Sequence, residues 1–528
     1  MKRRGLALLV LLLAFSVRML HLQTRALWYD EAFAVLYASL SPARMVYGTV
    51  TPVQGAGAAD VHPLLYYFLL HSWMGLVGRS PLAVRFLSVG LGLVTVAMLW
   101  RLAAWCFDRW TGLAVGLLAA VNPLHVAYSQ EARMYALLGL AAVTAAWGLL
   151  RALQGPGNRE QEAGSREQGA GNREQAGVWA RLLFIVHCSI VHCRWWTLYA
   201  VAAALALYAH NLGVFVLLAL HLLVVARRQW RPCLPPLALA DLVALFLFGP
   251  WLVGVLPGQL GFVGRGYWLA SPGLEEVARA VMLPVFTFYE PAPFWLLSWE
   301  FCTSVLLLAL VSLRTWRTHS RAGWFLLLCW VPVLALFLIS QWRPVYLERA
   351  LLPSALFYLV ALGWLLARGM LPRFLYLGVV VLLIVAIGGS LVSHYTYASF
   401  PRPPFQESAT YLQAHVEPAD VVVHTNKLTY FPMHYYAPDL PAVFLADPPG
   451  SDQDTLAHPT QEALGIFATP TLTEAVGLAD TVWLVVFDRE IAEAGGMHPY
   501  LEWLVDRYRE ISRCSFNDLS VVRFERRP

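Results

Sequence analysis

Apolar runs long enough to cross a bilayer recur through residues 1–395, and turns rich in arginine separate them. A chain so patterned satisfies its backbone inside the hydrocarbon only as helices, because lipid offers no hydrogen bonds to an exposed N–H or C=O. With 58% hydrophobic residues, 13% charged residues and a mean hydropathy of +0.56, a soluble globular class is excluded. A helical protein that crosses the membrane many times is the class left.

Met1-Lys2-Arg3-Arg4 precedes an apolar run over 5–22. It has the outline of a secretory signal but carries Arg18, His21 and Arg25 where small residues would mark cleavage, so it reads as an uncleaved first span. Ten further spans follow at 83–104, 110–127, 134–153, 195–209, 211–226, 233–254, 293–313, 323–340, 350–368 and 374–392, about eleven in all. Cytoplasmic turns carry the excess of positive charge. With the N-terminus inside, the basic turns 101–109, 227–231, 314–321 and 368–373 all fall inside, and the C-terminus falls outside. A plasma (inner) membrane protein with an external C-terminal segment is expected.

The stretch 62–73 is apolar but short, and counting it as a span would put every later arginine turn outside. It and 32–40 are read as helices lying in the outer interface, within one large outer loop over 23–82. Residues 154–181 hold a tandem repeat of Gly, Gln and charge that cannot bury a core, so a disordered cytoplasmic insert is expected. The echo Val186-His187-Cys188 and Val191-His192-Cys193 reads as duplicated apolar sequence rather than a metal site, since no further cluster completes a ligand set. Only Cys514 of the seven cysteines lies in the C-terminal region, so no disulfide is expected there. From about residue 396 to 528 helix-like stretches (405–415, 472–477, 500–511) alternate with strand-like ones (420–424, 481–487, 520–524). That pattern predicts a small external α/β domain with mostly parallel pairing.

Three polar segments break the hydrocarbon pattern, and the topology puts all three on the outer side. The first is Trp28-Tyr29-Asp30-Glu31, where two adjacent carboxylates suggest a chemical site; like charges so close tend to raise one pKa toward a useful range. The second is Tyr128-Ser129-Gln130-Glu131-Ala132-Arg133-Met134-Tyr135, since ionisable groups at membrane depth are costly and usually face a polar cavity. The third is Arg343-Pro344-Val345-Tyr346-Leu347-Glu348-Arg349, whose arginines offer forked donors to an anion. Blander readings stay open: Asp30 and Glu31 as helix-dipole partners, Glu131 as a cap with Arg133 reaching headgroups, and a Glu348–Arg349 pair on a helix. Arg18 is read either as a partner of one carboxylate or as a headgroup contact. Together the carboxylates and arginines suit transfer from a phosphorylated donor, with a base for the acceptor and positive charge for the leaving phosphate.

The order Trp28-x-Asp30-Glu31, His62-Pro63-Leu64-Leu65-Tyr66-Tyr67, Ser129-Gln130-Glu131-Ala132-Arg133-Met134-Tyr135 and Glu348-Arg349 before a span resembles the GT-C glycosyltransferases. Within them it is similar to the protein O-mannosyltransferase (family 39) branch in bacteria and to the aminoarabinose transferase for lipid A. Tyr208-Ala209-His210-Asn211 resembles a tyrosine–histidine turn of these proteins. The resemblance spans about residues 10–370. It implies transfer of a mannose-like or other hexose or pentose sugar from a polyprenyl-phosphate carrier to a protein, lipid or glycan hydroxyl, with inversion. It implies Asp30 as general base or acceptor-orienting group with Glu31 beside it, and Glu131 as a second acidic contact. Arg133 and Arg349 would bind the phosphate, joined by Arg343 and by His62, which stands where relatives have a lysine. Trp28, Tyr66, Gln130, Tyr135, His210 and Tyr346 are further pocket candidates. No cofactor is required on this reading; a divalent ion is open but no ligand spacing demands it. No nucleic-acid partner is expected.

Two other classes compete with this reading. A flippase for lipid-linked sugars would show repeated spans and charge at mid-membrane. A non-catalytic envelope scaffold leaves Asp30, Glu31 and Glu131 without a role.

Overall fold

The computed structural model describes residues 3–53, 62–153, 193–263, 269–287, 289, 292–447 and 455–527. The expected insert over 154–181 and most of the His-Cys echo lie outside the described residues. A helix stands at each of the eleven expected spans. Among the described residues seven helices are long and apolar enough to cross a membrane, or eight counting one bent pair; Gly5–Met19 and Asn211–Ala226 are apolar but shorter. The chain is a multi-pass membrane protein. Its two most enclosed spans, Tyr135–Leu153 and Glu348–Arg368, form the centre of the bundle, which is why they are apolar on every side.

The basic turns meet at one end of this bundle. Arg368 Nε lies 2.6 Å from Asp108 Oδ2, Arg321 Nη1 donates to the Cys106 carbonyl at 3.5 Å, and Arg227 sits over the Trp324 ring. The 26-residue helix Pro81–Cys106 runs from there to the opposite end. At that opposite end Tyr435 donates to the Arg79 carbonyl.

The described residues of the 23–82 loop pack at this second end, among them three short helices, Tyr29–Ala38, Pro42–Val50 and Leu65–Val77. The last is 13 residues long and apolar, too short to span. A five-stranded sheet lies against them, built of β1 (Val421–His424), β2 (Ala442–Phe444), β3 (Thr481–Phe487), β4 (Tyr508–Phe516) and β5 (Leu519–Arg526) in the order β2-β1-β3-β5-β4. The mostly parallel sheet predicted from sequence is corrected here: β1 pairs in parallel with β2 and β3, but β3–β5 and β5–β4 are antiparallel. The reason is the β4–β5 hairpin, whose β4 takes over the last four residues of the helix predicted over 500–511; the helix itself is Pro499–Arg507. β4 is polar, exposed and charged because it is an edge. β3 reads as an unbroken apolar run because both faces are covered. Val482, Leu484 and Val486 face helices Leu472–Val476 and Pro499–Arg507, while Trp483, Val485 and Phe487 face helices Phe405–His415 and Lys427–Tyr436.

Apolar packing joins the sheet unit to the helix bundle. Phe431 stands 5.7 Å from Phe33 and 5.8 Å from Tyr29, ring centre to ring centre, and Thr460 donates to the Gly48 carbonyl at 2.9 Å.

Candidate active site

The turn that carries Glu131 exists because the span before it breaks. Helix Arg109–Val121 and helix Pro123–Ser129 meet at 57°, since Pro123 has no N–H to give the Ala119 carbonyl. Arg18 supplies the missing donors: Nη1 donates to Ala120 O at 2.8 Å and Nη2 to Ala119 O at 3.2 Å, and Nη2 also lies 3.0 Å from His125 Nδ1. Arg18 is fully buried and so neither pairs with Asp30 or Glu31 nor reaches headgroups, a correction to both sequence readings. Gly92 leaves room for this corner, as a Cβ there would stand 2.2 Å from Ser129 Oγ. Gln130 Nε2 then donates to the carbonyls of Arg18 and Leu20, both at 2.8 Å, so Gln130 ties the turn to the first helix.

Asp30 and Glu31 sit in the first turn of helix Tyr29–Ala38, where acidic groups suit the dipole. Neighbours on a helix point about 100° apart, so the two carboxylates diverge. Glu31 is buried with Arg85, which reaches Oε1 at 2.7 Å and Oε2 at 2.6 Å; Ala132 N donates to Oε1 at 3.0 Å. Arg85 also donates to the carbonyls of Leu22 (2.8 Å), Arg25 (2.7 Å) and Ala26 (3.0 Å). Sequence reasoning missed Arg85, though an ionisable residue near the start of an apolar span is a signal.

Asp30 turns the other way. Its Oδ2 accepts from Arg349 Nη1 and lies 3.9 Å from Arg133 Nε, while Arg133 Nη1 donates to the Tyr67 hydroxyl at 3.4 Å. Burial disfavours the Asp30 charge, but Arg133, Arg349 and His62 outweigh it and hold the carboxyl down at about 2. Glu31 is likewise held below its usual range, burial being outweighed by Arg85. The expectation that the two carboxylates raise one another's pKa is therefore corrected: each has its own arginine. His62, His210 and Tyr135 form an adjoining ring cluster, His62 edge-on to His210 and His210 tilted against Tyr135, with centres 5.4 and 6.1 Å apart in turn, and His210 Nδ1 caps a helical turn by accepting from Leu212 N at 3.1 Å.

Glu131 has a partner from far along the chain: its Oε1 accepts from Arg402 Nη2. Glu131 Oε2 and Arg402 Nη1 are buried with no hydrogen-bond partner among the described residues. Burial raises the Glu131 pKa above its usual value, against the pull of Arg402. The Arg349 and Arg402 guanidiniums both lie over the Trp28 ring, 5.5 and 5.3 Å from its centre. Trp28, Glu131, Arg349 and Arg402, with Tyr128 and Tyr289, line a cavity of about 360 Å³. Asp30 stands behind Arg349 and is outside that lining.

A larger slot of about 910 Å³ shares Arg279, Thr287, Tyr289 and Tyr397 with this cavity and is otherwise walled largely by apolar side chains of helix Phe294–Thr318, among them Phe294, Leu297 and Phe301.

Other sequence candidates fall elsewhere. Tyr66 is buried on Ser88 Oγ at 3.0 Å, Tyr346 packs on Phe337 and donates to the Glu276 carbonyl at 3.4 Å, and Arg343 is exposed. None of the three lines the cavity. Tyr128, Tyr289, Arg279 and Arg402 do, and sequence reasoning assigned none of them a role. Arg402 stands in Pro401-Arg402-Pro403-Pro404, where prolines stiffen the strand that carries it. Among the described residues no three His, Cys, Asp or Glu side chains gather as a metal site.

Residues 61–161 match the sequence family described as dolichyl-phosphate-mannose-protein mannosyltransferase. No curated protein sequence matches the chain. Among solved structures, ArnT from Cupriavidus metallidurans in the apo state superposes with a TM-score of 0.61 at 14% identity, over 99% of this chain and 98% of that one. The same enzyme bound to undecaprenyl phosphate gives 0.59 at 14% identity, with the same coverage. The oligosaccharyltransferase AglB from Archaeoglobus fulgidus, in complex with an inhibitory peptide and a dolichol-phosphate, gives 0.53 at 12% identity, over 98% of this chain and 74% of that one. The chain thus shares its overall fold with ArnT and AglB, and its residues 61–161 are similar in sequence to the mannosyltransferase family.

Proposed function

We propose that the protein transfers a sugar from a polyprenyl-phosphate carrier to a hydroxyl acceptor at the outer face of the plasma membrane, with inversion at the anomeric carbon. The observation that carries this reading is the pairing of two carboxylates with two arginines, Asp30 with Arg349 and Glu131 with Arg402, around Trp28 at the head of an apolar slot. Largely apolar walls suit a polyprenyl tail, and forked guanidiniums suit its phosphate. ArnT with undecaprenyl phosphate and AglB with dolichol-phosphate support a carrier of this class. The basic turns lie at the end of the bundle away from the site, which supports a site on the outer side.

In the reaction, the acceptor oxygen attacks the anomeric carbon from the face opposite the phosphate. The bond from that carbon to the phosphate oxygen breaks, the acceptor proton passes to a carboxylate, and polyprenyl phosphate leaves. Arg349 and Arg133 neutralise the charge that grows on the departing phosphate. A carboxyl held at about 2 is a weak base. Donor phosphate that draws Arg349 away frees Asp30 and raises its basicity. Glu131 Oε2, buried and without a partner among the described residues, accepts from the acceptor or the sugar. No metal takes part in this scheme.

The test is transfer of radiolabel by purified protein from a panel of polyprenyl-phosphate sugars to a membrane extract. Label moving in wild type and lost in Asp30→Asn supports the reading. Binding of donors without transfer across the panel would shift it to a flippase or scaffold.

A further inference from the structure

The chain leaves the bundle at Thr396 and crosses the cavity before it enters the sheet unit at Phe405. Tyr397, Phe400, Pro401 and Arg402 of this strap all line the cavity. Its anchors belong to the sheet unit: Phe400 N donates to Asp518 Oδ2, and Asn517 Nδ2 donates to the Ala398 carbonyl at 2.8 Å. Asn517 and Asp518 are the two-residue turn of the β4–β5 hairpin, and Asn517 has the left-handed φ of 57° that such turns need. The Phe400 ring is packed on Phe487 at 5.0 Å and covered by the Arg489 guanidinium at 4.9 Å. The strap is thus gripped on the sheet side, while its arginine faces the bundle.

We infer that Arg402 is a positioning residue of the transfer reaction: carried over the cavity by a strap clamped to the C-terminal sheet unit, it holds Glu131 by Oε1 and leaves Oε2 for the acceptor. This rests on the acceptor role of Glu131 proposed above. Glu131 is buried and shares its surroundings with the Asp30 and Glu31 charges; Arg349 opposes them from the same cavity, but without the direct contact of Arg402 burial and the two carboxylates favour a proton on Glu131, which turns it from acceptor to donor. Arg402 is the only cation that contacts it among the described residues. The sheet unit is then a wall of the site and not a separate binding module.

Three variants test this in the full-length protein: Arg402→Gln, Arg402→Lys, and Asp518→Asn, which loosens the strap without touching the cavity. Each is compared with Glu131→Gln for kcat/KM of transfer across pH, and for infrared titration of the Glu131 carboxyl, read as the difference from Glu131→Gln. Arg402→Gln should lower kcat/KM on the order of 10²-fold, as misplacement of a reacting group does, and move the acid limb and the carboxyl titration to higher pH. Arg402→Lys, which keeps the charge and loses the fork, should recover part of both. Asp518→Asn should shift them the same way by less. The double variant Arg402→Gln with Glu131→Gln should be no slower than Glu131→Gln alone.

A wild-type rate and acid limb in Arg402→Gln overturns the inference, as do losses that multiply in the double variant. If wild type transfers from no donor, the proposed function falls by itself. The infrared titration then decides Arg402 alone, and an unmoved Glu131 carboxyl in Arg402→Gln overturns it.

Discussion

Arg85 grips both oxygens of Glu31, at 2.7 and 2.6 Å, with the two side chains each 1% exposed. Of the two adjacent carboxylates, this one is spent on architecture: it locks the exit of the first helix, the start of helix Tyr29–Ala38 and the Glu131 turn into one rigid corner.

Breaking that pair should unfold before it inactivates. Glu31→Ala leaves the Arg85 charge buried and should cost about 3–5 kcal/mol, read as a lower melting temperature in detergent. Folded protein at low temperature should keep measurable transfer. A variant that melts like wild type yet transfers nothing would return Glu31 to the chemistry.

Asp30→Asn should behave in the opposite way. Insertion and melting should stay near wild type, while kcat falls roughly 10²–10⁴-fold, the usual worth of a general base. Because the substitution frees Arg349 and Arg133 from a carboxylate, polyprenyl phosphate should bind at least as tightly as to wild type. Equilibrium binding of labelled carrier measures this, and weaker binding would deny those arginines the phosphate.

The acid limb of the kcat/KM–pH profile, which reports the free enzyme, should belong to Glu131. Asp30, held down at about 2, stays ionised through any usable acidic range. Glu131 has its pKa raised above 4.5, so it is the first of the two to gain a proton as pH falls. Activity should drop through that raised value, and Glu131→Gln should flatten the limb while lowering the plateau. An acid limb that persists unchanged in Glu131→Gln points to another group.

Transfer should survive chelation. The charge on the leaving phosphate is met by arginine, so EDTA treatment should leave turnover within about twofold, well under one power of ten in rate. Loss of activity with EDTA and recovery with a divalent cation would add a metal to the scheme.

The membrane class, the helix at each span and the clustering of basic turns followed from hydropathy and arginine placement, because a bilayer imposes length and polarity rules on every segment separately. The Asp30, Glu131 and Arg349 segments stood out for the same reason, as charge is conspicuous in an apolar chain. Edge strand β4 was hidden because its charged, exposed side chains lack an apolar face to give it period two.

What remained for tertiary structure was partnership. Nothing local says that Glu31 belongs to Arg85, 54 residues on, that Asp30 belongs to Arg349, or that Glu131 waits for Arg402, 271 residues later. Sequence by itself determined which groups are too costly to bury alone. Only the packed bundle and the sheet clamped above it decided which opposite charge meets each one, since ion pairing acts over a few ångströms and those distances exist only once the chain has folded.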